Sequence, residues 1–224
     1  MQNLLMVKLI FKNNKIFFFY LGIFLLFGGM LYFSTNSDVL LLYFNSHRNL
    51  FFNKIFIFST NLAETFGIVS VLLILLLYRY SMFVFTVINL IITTSLVGII
   101  KTATNLPRPA SFFEHSSSVH LNFVEGVKMN YFLSFPSGHT TVAFAMFLIL
   151  SISFENKIIK HISFYLALMV GLSRVYLLQH FFRDVYFGSI LGVLCALILS
   201  SLFFNVKWFK KLDSKQGLLN TLKK

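Results

Sequence analysis

Hydrophobic residues in this chain form continuous runs separated by short polar segments, and they do not alternate as they would in strands. The runs are residues 16–33, 63–78, 82–100, 140–154, 162–178 and 185–206. A helix needs about 20 residues to cross a bilayer, and tilt or partly polar ends accommodate shorter runs. Continuous runs argue against a membrane β-barrel. The pattern therefore predicts an all-α polytopic membrane protein with six transmembrane helices.

Two segments near the N-terminus allow more than one interpretation. The first run follows Lys8, Lys12 and Lys15 as a signal peptide would, but no small-x-small cleavage site follows it, so we interpret it as a retained helix. Residues 50–58 interleave apolar side chains with polar ones. This segment is either a short amphipathic helix in the membrane interface or an early start of the second span.

The composition supports a membrane protein. Hydrophobic residues make up 57% of the chain and charged residues 12%, about half of the roughly 25% usual in soluble domains. Soluble globular proteins and disordered chains are both excluded. The single cysteine, Cys195, can form neither an internal disulfide nor a zinc site, and we expect a small core residue.

The net charge of +12 is distributed unevenly along the chain. With the N-terminus inside, twelve of the nineteen Lys and Arg residues fall on inner segments. They are Lys8, Lys12, Lys15, Arg79, Lys157, Lys160, Lys207, Lys210, Lys211, Lys215, Lys223 and Lys224. This bias predicts a cytoplasmic-membrane protein with both termini in the cytoplasm. A basic stripe of the kind that binds nucleic acid is missing, so we expect no nucleic-acid partner.

Three polar clusters stand at the outer ends of the third to sixth spans, on one face of the membrane. They are Lys101 with Arg108 and Pro109; Pro136-Ser137-Gly138-His139; and Ser173-Arg174 with His180 and Asp184. Each has an ordinary interpretation by itself: charged anchors, a helix start, or an i, i+4 surface pair. Arg174 is harder to explain in this way, because it stands inside an apolar run.

Taken together, the clusters predict a phosphate-binding site. Lys101, Arg108 and Arg174 can neutralise a phosphoryl group, and arginine does so through paired hydrogen bonds. Residues 137–139 open the fourth span, so their backbone N–H groups and the positive helix end should face an anion. Gly138 allows the backbone to approach the oxygens closely.

The two histidines suggest covalent catalysis with a separate acid. Asp184 stands one turn after His180 if both are helical, and it can orient the ring so that the other nitrogen attacks phosphorus. His139 would then protonate the leaving oxygen and later activate water.

The stretch 101–184 resembles the type 2 phosphatidic acid phosphatase superfamily. Its signature, Lys-x6-Arg-Pro, Pro-Ser-Gly-His and Ser-Arg-x5-His-x3-Asp, is present without departure in residue type or spacing. The resemblance implies an all-helical core and a phosphohistidine mechanism, with His180 as nucleophile, Asp184 as its orienter and His139 as general acid. It also implies that no metal is required. The phosphate-holding residues that it implies are Lys101, Arg108, Ser137, Gly138 and Arg174.

The distribution of acidic residues is an independent argument against a metal cofactor. The chain has seven, and two-metal or magnesium sites need clustered carboxylates. Those near the outer face are Asp38, Glu64, Glu114, Glu125 and Asp184, and no two are close in sequence. We therefore expect no metal and no other cofactor.

These features predict a single integral membrane domain over residues 1–224, with its catalytic motifs in residues 101–184. The predicted activity is metal-independent hydrolysis of a lipid phosphate monoester or diphosphate. Family members act on undecaprenyl diphosphate, phosphatidylglycerol phosphate, phosphatidic acid and lipid A phosphates. The expected partners are this lipid and the bilayer, with no obligate protein partner.

Two alternatives remain open at this stage. The first is a lipid phosphotransferase of the same superfamily, and the second is a non-catalytic transporter or scaffold. The loop of residues 110–135 is the predicted source of substrate selectivity. Its candidate contacts are His115, His120, Glu125 and Lys128, with ordinary solvated loop residues as the alternative.

Overall fold

The computed structural model describes residues 2–36, 38–114, 116, 119–213 and 217–218, and the regular secondary structure in these ranges is helical throughout. The helices are α1 (Gln2–Asn13), α2 (Lys15–Ser34), α3 (Val39–Ser46), α4 (Leu50–Asn61), α5 (Thr65–Tyr78), α6 (Tyr80–Thr104), α7 (Pro109–Phe112), α8 (Gly138–Ser153), α9 (Lys157–Tyr176), α10 (Phe182–Phe203) and α11 (Lys207–Asp213). The prediction of an all-α protein is confirmed. Lys215, Lys223, Lys224 and His115, named above, lie outside the described residues.

Within the described ranges, the number of helices that can cross a membrane is four or five. The four are Lys15–Ser34, Tyr80–Phe112, Lys157–Tyr176 and Phe182–Phe203. Helices α4 and α5 form a fifth span only if they are counted together across their bend. Helix α8 has 16 residues, about 24 Å, which is shorter than the hydrocarbon core of about 30 Å. Six spans are therefore not confirmed.

The segment of residues 50–58 belongs to α4, a helix separate from α5. Asn49 caps α4, and its side chain accepts a hydrogen bond from the backbone N–H of Phe52 at 2.9 Å. The two helices meet at a bend of 53°. A Cβ on Gly67 would lie 2.1 Å from the carbonyl oxygen of Leu62, so this close passage of the chain requires glycine. The straight early start of a second span is not observed.

Helix α8 lies at the centre of the helix bundle, in contact with α5, α6, α9 and α10. Every residue from 140 to 151 is buried, as expected for a helix that is apolar on all sides. Small residues bring α10 close to it: a Cβ on Gly192 would lie 2.2 Å from the carbonyl oxygen of Thr141. Cys195, also in α10, is buried as predicted.

The end of α6, the start of α8, the end of α9 and the start of α10 meet at one end of the bundle. The loop after α7 is fastened across this end by backbone hydrogen bonds, from the N–H of Arg108 to Tyr131 at 2.8 Å and from that of Ser134 to Leu106 at 3.0 Å. This end of the bundle carries the three motifs.

The opposite end of the bundle carries basic side chains from the predicted inner segments. Two adjoining cavities of about 370 and 390 Å³ lie there. Their basic lining residues are Arg79, Lys160 and Lys210.

Candidate active site

Hydrogen bonds join the three sequence motifs into one cluster. The ammonium group of Lys101 donates to the carbonyl oxygens of Leu133 and Ser134. The hydroxyl of Ser134 donates to Oδ2 of Asp184 at 2.5 Å. The backbone N–H of Ser137 donates to the carbonyl oxygen of Asp184 at 3.0 Å. The ends of α6, α8 and α10 are therefore held together as the motif spacing predicted.

The chain between Arg174 and Asp184 is a turn that closes on Arg174. The carbonyl oxygen of Arg174 accepts from the N–H groups of Gln179 at 2.9 Å and His180 at 3.1 Å. Leu178 adopts a φ of 56° inside this turn. Helix α10 begins only at Phe182. His180 therefore lies outside the helix, and the two residues do not share a helical turn.

Asp184 nevertheless reaches His180, because it occupies the first turn of α10 and its side chain points back across the helix start. Its Oδ2 accepts from the backbone N–H of Phe181 at 3.2 Å, which caps the helix, and lies 3.4 Å from Nδ1 of His180. Asp184 also accepts from Ser134, so its carboxylate is fixed from two directions. The arrangement leaves Nε2 of His180 available for reaction.

The His180 side chain is 1% exposed, and its environment favours the neutral imidazole. Burial is the main cause that lowers the pKa of His180 well below its usual 6.5. The hydrogen bond with Asp184 opposes this effect, and the positive charges of Arg108 and Arg174 add to it. A neutral, oriented imidazole is the form that can act as a nucleophile.

Two arginines bring positive charge to this cluster. Arg174 is 5% exposed, donates from Nη1 to the hydroxyl of Thr60 at 2.5 Å, and has a buried Nε without a partner in the part of the chain described. Arg108 donates to the carbonyl oxygen of Phe132 at 2.9 Å and to Gln179 at 3.2 Å. Within the described residues, neither is paired with a carboxylate. Positive charge that is buried at Arg174, half-buried at Arg108 and without a counterion indicates an anion-binding site.

The start of α8 is organised by Ser137. Its Oγ accepts from the hydroxyl of Thr140 at 2.9 Å and from the backbone N–H of the same residue at 3.5 Å. Because the N–H of Ser137 already donates to Asp184, the expectation that it faces an anion is wrong. Gly138 and His139 occupy the first helical positions, whose N–H groups have no acceptor inside the helix.

His139 pairs with a carboxylate that the sequence did not connect with it. Its Nε2 lies 3.0 Å from Oε1 of Glu64, the residue immediately before α5. Both side chains are partly exposed, His139 by 30% and Glu64 by 49%.

Four residues of the site were missed by the sequence argument. Ser134 and Gln179 adjoin the motifs, so a search of neighbouring polar positions would have found them. Thr60 and Glu64 come from the α4–α5 bend. Glu64 lies 75 residues before His139 in the sequence. No spacing rule connects positions so distant.

The loop after α7 is tied to the site through its backbone. The carbonyl oxygen of Lys128 accepts from the side chain of Gln179 at 3.1 Å, and that of His120 accepts from Asn45 at 2.8 Å. Glu125 is exposed. No described contact brings these three side chains to the catalytic cluster.

The acidic residues of the site are engaged by histidines. Asp184 faces His180, and Glu64 faces His139. Over the residues that the structure describes, no group of three His, Cys, Asp or Glu side chains is placed to hold a metal ion.

Comparison with known proteins agrees with the motifs. The sequence is 41% identical over 85 residues to phosphatidylglycerophosphatase B of Bacillus subtilis (strain 168), a match that covers 34% of this chain and 38% of that relative. The structure is similar to the crystal structure of Aquifex aeolicus LpxE, with a TM-score of 0.62 and 28% identity over 71% of this chain and 92% of the other.

A second solved structure supports the fold alone. It is the crystal structure of the first transmembrane PAP2 type phosphatidylglycerolphosphate phosphatase from Bacillus subtilis, with a TM-score of 0.59. The identity is 21%, over 87% of this chain and 98% of that one. Together with the apolar helices, these similarities identify a multi-pass membrane protein. The family pattern of the PAP2 superfamily matches residues 75–208, more than half of the chain, and the protein belongs to that superfamily.

Proposed function

We propose that this protein is a metal-independent phosphatase that hydrolyses a phosphate monoester or diphosphate on a membrane lipid through a phosphohistidine at His180. The observation that carries the proposal is a buried histidine whose Nδ1 faces Asp184 and whose Nε2 is left to react. Arg108 and Arg174 act on it electrostatically, and within the described residues neither has a carboxylate partner. A phosphoryl group supplies the missing negative charge.

The proposed reaction has two steps, transfer of the phosphoryl group to His180 and its release by water. Nε2 of His180 forms a bond to phosphorus while the bond from phosphorus to the lipid oxygen breaks, and His139 gives that oxygen a proton. The oxygen of a water molecule then forms a bond to phosphorus while the bond from phosphorus to Nε2 of His180 breaks. His139 takes a proton from this water, and inorganic phosphate leaves. The groups proposed to hold the phosphoryl oxygens are Lys101, Arg108, Arg174 and the N–H groups of Gly138 and His139. Ser137 contributes by holding the start of α8.

An apolar groove supports a lipid as the substrate. It has a volume of about 690 Å³ and runs between α5, α8 and α9, where Phe66, Val71, Phe147 and Leu166 contribute to its walls. Its wall follows α5 from Leu62, two residues before the carboxylate that contacts His139, to Tyr78. A hydrocarbon tail in this groove, with its head group at the Leu62 end, would place the phosphate near the motifs.

The cytoplasmic membrane is the proposed location, with both termini in the cytoplasm and the site facing outward. The basic residues Arg79, Lys160 and Lys210 lie around the end of the bundle opposite the motifs, which supports this orientation.

The test is phosphate release by the purified protein from phosphatidylglycerol phosphate, undecaprenyl diphosphate, phosphatidic acid and lipid A phosphate. The name of the Bacillus relative makes phosphatidylglycerol phosphate the first to try. We expect release from at least one lipid, unchanged by EDTA, inhibited by vanadate and absent in His180→Ala. Glu114→Gln serves as the active control, since this exposed side chain lies outside the cluster.

Three results would contradict the proposal. One is the failure of every lipid to release phosphate. Another is loss of activity in EDTA with recovery in magnesium. The third is transfer of the phosphoryl group to an added alcohol with no free phosphate, which would identify a phosphotransferase.

A further inference from the structure

The site contains two histidine–carboxylate pairs that differ in their exposure to water. His180 and Asp184 are 1% and 0% exposed, whereas His139 and Glu64 are 30% and 49% exposed. In the first pair, Nδ1 of the histidine lies 3.4 Å from a carboxylate oxygen. In the second pair, Nε2 of the histidine lies 3.0 Å from one. Only the first pair belongs to the motifs, so the second needs its own explanation.

We propose that Glu64 is the positioning residue for His139, holding its ring and favouring the proton that His139 delivers to the leaving oxygen. The inference rests on the proposed function, because it assigns a partner to the acid of that reaction. Glu64 itself need not touch the substrate.

The groups around His139 act on its ring in opposite directions. Burial is the main cause that lowers the pKa of His139 to about 4, and the positive charges of Arg174 and Arg108 add to this effect. The hydrogen bond and the negative charge of Glu64 oppose it. Glu64 is therefore the contact that favours the protonated ring of His139.

The proton balance of the reaction is consistent with this role. The Nε2–H of His139 stays hydrogen-bonded to Glu64, so the exchangeable proton is the one on Nδ1. That proton passes to the lipid oxygen as the bond to phosphorus breaks. In the second step, Nδ1 takes a proton from the attacking water, and the ring returns to its starting state. Glu64 exchanges no proton in either step.

The position of Glu64 is fixed by the α4–α5 bend. Its backbone N–H donates to Asn61 at 3.1 Å, and its carbonyl oxygen accepts from Ile68 at 3.0 Å. On the α4 side of the bend, Thr60 accepts from Arg174. Gly67 allows the close passage at Leu62. The bend therefore places a hydroxyl beside one site cation and a carboxylate beside the second histidine.

The test compares Glu64→Gln with Glu114→Gln, the matched change at an exposed carboxylate outside the site. Each is assayed on a lipid monoester that the wild-type protein hydrolyses and on p-nitrophenyl phosphate. A lipid alkoxide needs protonation to leave, whereas p-nitrophenolate does not. Glu64→Gln retains a hydrogen-bond acceptor and removes only the charge, so a purely structural role would survive it.

We expect Glu64→Gln to lower kcat/KM on the lipid about 10-fold or more, since acid–base assistance contributes about 10²- to 10⁴-fold. This ratio reports the phosphorylation of His180 and not the later attack of water, which is the same for both substrates. The kcat/KM on p-nitrophenyl phosphate should change less than twofold relative to Glu114→Gln. In a His139→Ala background, Glu64→Gln should have no further effect, because the two residues act as one unit.

The outcomes separate this inference from the proposed function. An active wild-type protein with equal rates in Glu64→Gln and Glu114→Gln would overturn the role of Glu64 and leave the phosphatase proposal intact. Equal losses on the lipid and on the aryl phosphate would also overturn it, because they show a general defect. A wild-type protein inactive on every lipid would overturn the proposed function itself.

Discussion

Ser134 connects Lys101 with the pair formed by His180 and Asp184. Its hydroxyl donates to Asp184, its Oγ lies 3.5 Å from Nδ1 of His180, and its carbonyl oxygen accepts from Lys101. One small, fully buried residue thus contacts the proposed nucleophile, its carboxylate and a cation. The position lies two residues before Pro136, the first residue of the Pro-Ser-Gly-His motif.

Ser134→Ala should therefore lower kcat about 10-fold or more, because a hydrogen bond to a charged group contributes about 1.5–3 kcal/mol. Steady-state phosphate release measures the effect. Ser34→Ala, an exposed serine at the end of α2, is the control. Equal activity in the two variants would show that Asp184 does not depend on Ser134.

The pH profile tests the environment of His180. Because Arg108 helps to lower the pKa of His180, Arg108→Gln should raise that pKa. A histidine nucleophile attacks in its neutral form, so activity is present above its pKa and is lost as pH falls through that pKa. The acidic limb of kcat/KM should therefore move to higher pH in Arg108→Gln, by about 0.5 to 1 unit. The substrate ionises identically in both assays, so an unchanged limb would show that Arg108 does not act on the nucleophile.

The sequence predicts which residues form the motifs, but it does not predict their geometry. Spacing placed His180 one turn before Asp184 only if both residues were helical, and His180 is not. The contact instead depends on the turn that closes on Arg174 and on the capping position of Asp184. Turn and cap geometry depend on tertiary hydrogen bonds that spacing does not encode.

At the scale of helices, the close contact of α8 with α10 sets the position of the site. Gly188 and Gly192 lie against the start of α8, where Cβ atoms would meet the carbonyl oxygens of Ser137 at 3.0 Å and Thr141 at 2.2 Å. Ser137 in turn donates to Asp184. Small residues at this contact therefore bring the start of α8, which carries His139, to Asp184 at the start of α10.

Gly192→Ala should destabilise the protein, because overpacking of a close contact costs about 1–3 kcal/mol. We expect Tm in detergent to fall by about 2 °C or more. Gly98→Ala is the matched control: a Cβ there meets nothing within 4 Å, so Tm should stay or rise. A Gly192→Ala variant as stable as Gly98→Ala would contradict the close helix contact.

The helices were largely predictable from hydrophobic runs, and their interruptions were not. All six runs contain a helix, but α8 is short and α5 is bent away from α4. The bend depends on one glycine and its contact with Leu62, which no apolar pattern reveals. It also supplies Thr60 and Glu64, so the unpredicted bend and two of the four unpredicted site residues have one cause.

At the scale of the whole molecule, the two ends of the bundle differ in chemistry. One end carries the motifs, and the other carries Arg79, Lys160 and Lys210 around two cavities. The positive-inside bias predicts that the basic end faces the cytoplasm. The substrate phosphate would then be approached from the outer leaflet.

Cysteine labelling tests this orientation. In a Cys195→Ala background, Glu125→Cys in the loop over the site should react with a membrane-impermeant thiol reagent in intact cells. Lys157→Cys, at the start of α9, should react only after the membrane is opened. Both positions are exposed, so accessibility alone does not separate them. The reverse labelling pattern would place the site in the cytoplasm.

The proposed phosphohistidine at His180 can be tested by identifying the residue that carries phosphate during turnover. Protein mixed with a lipid substrate, quenched rapidly and mapped by mass spectrometry under non-acidic conditions should carry phosphate on His180, at the nitrogen opposite the one that faces Asp184. His139→Ala should still form this species, more slowly, and His180→Ala should not. Phosphate on His139, or full turnover in His180→Ala, would contradict the assignment of His180 as the nucleophile.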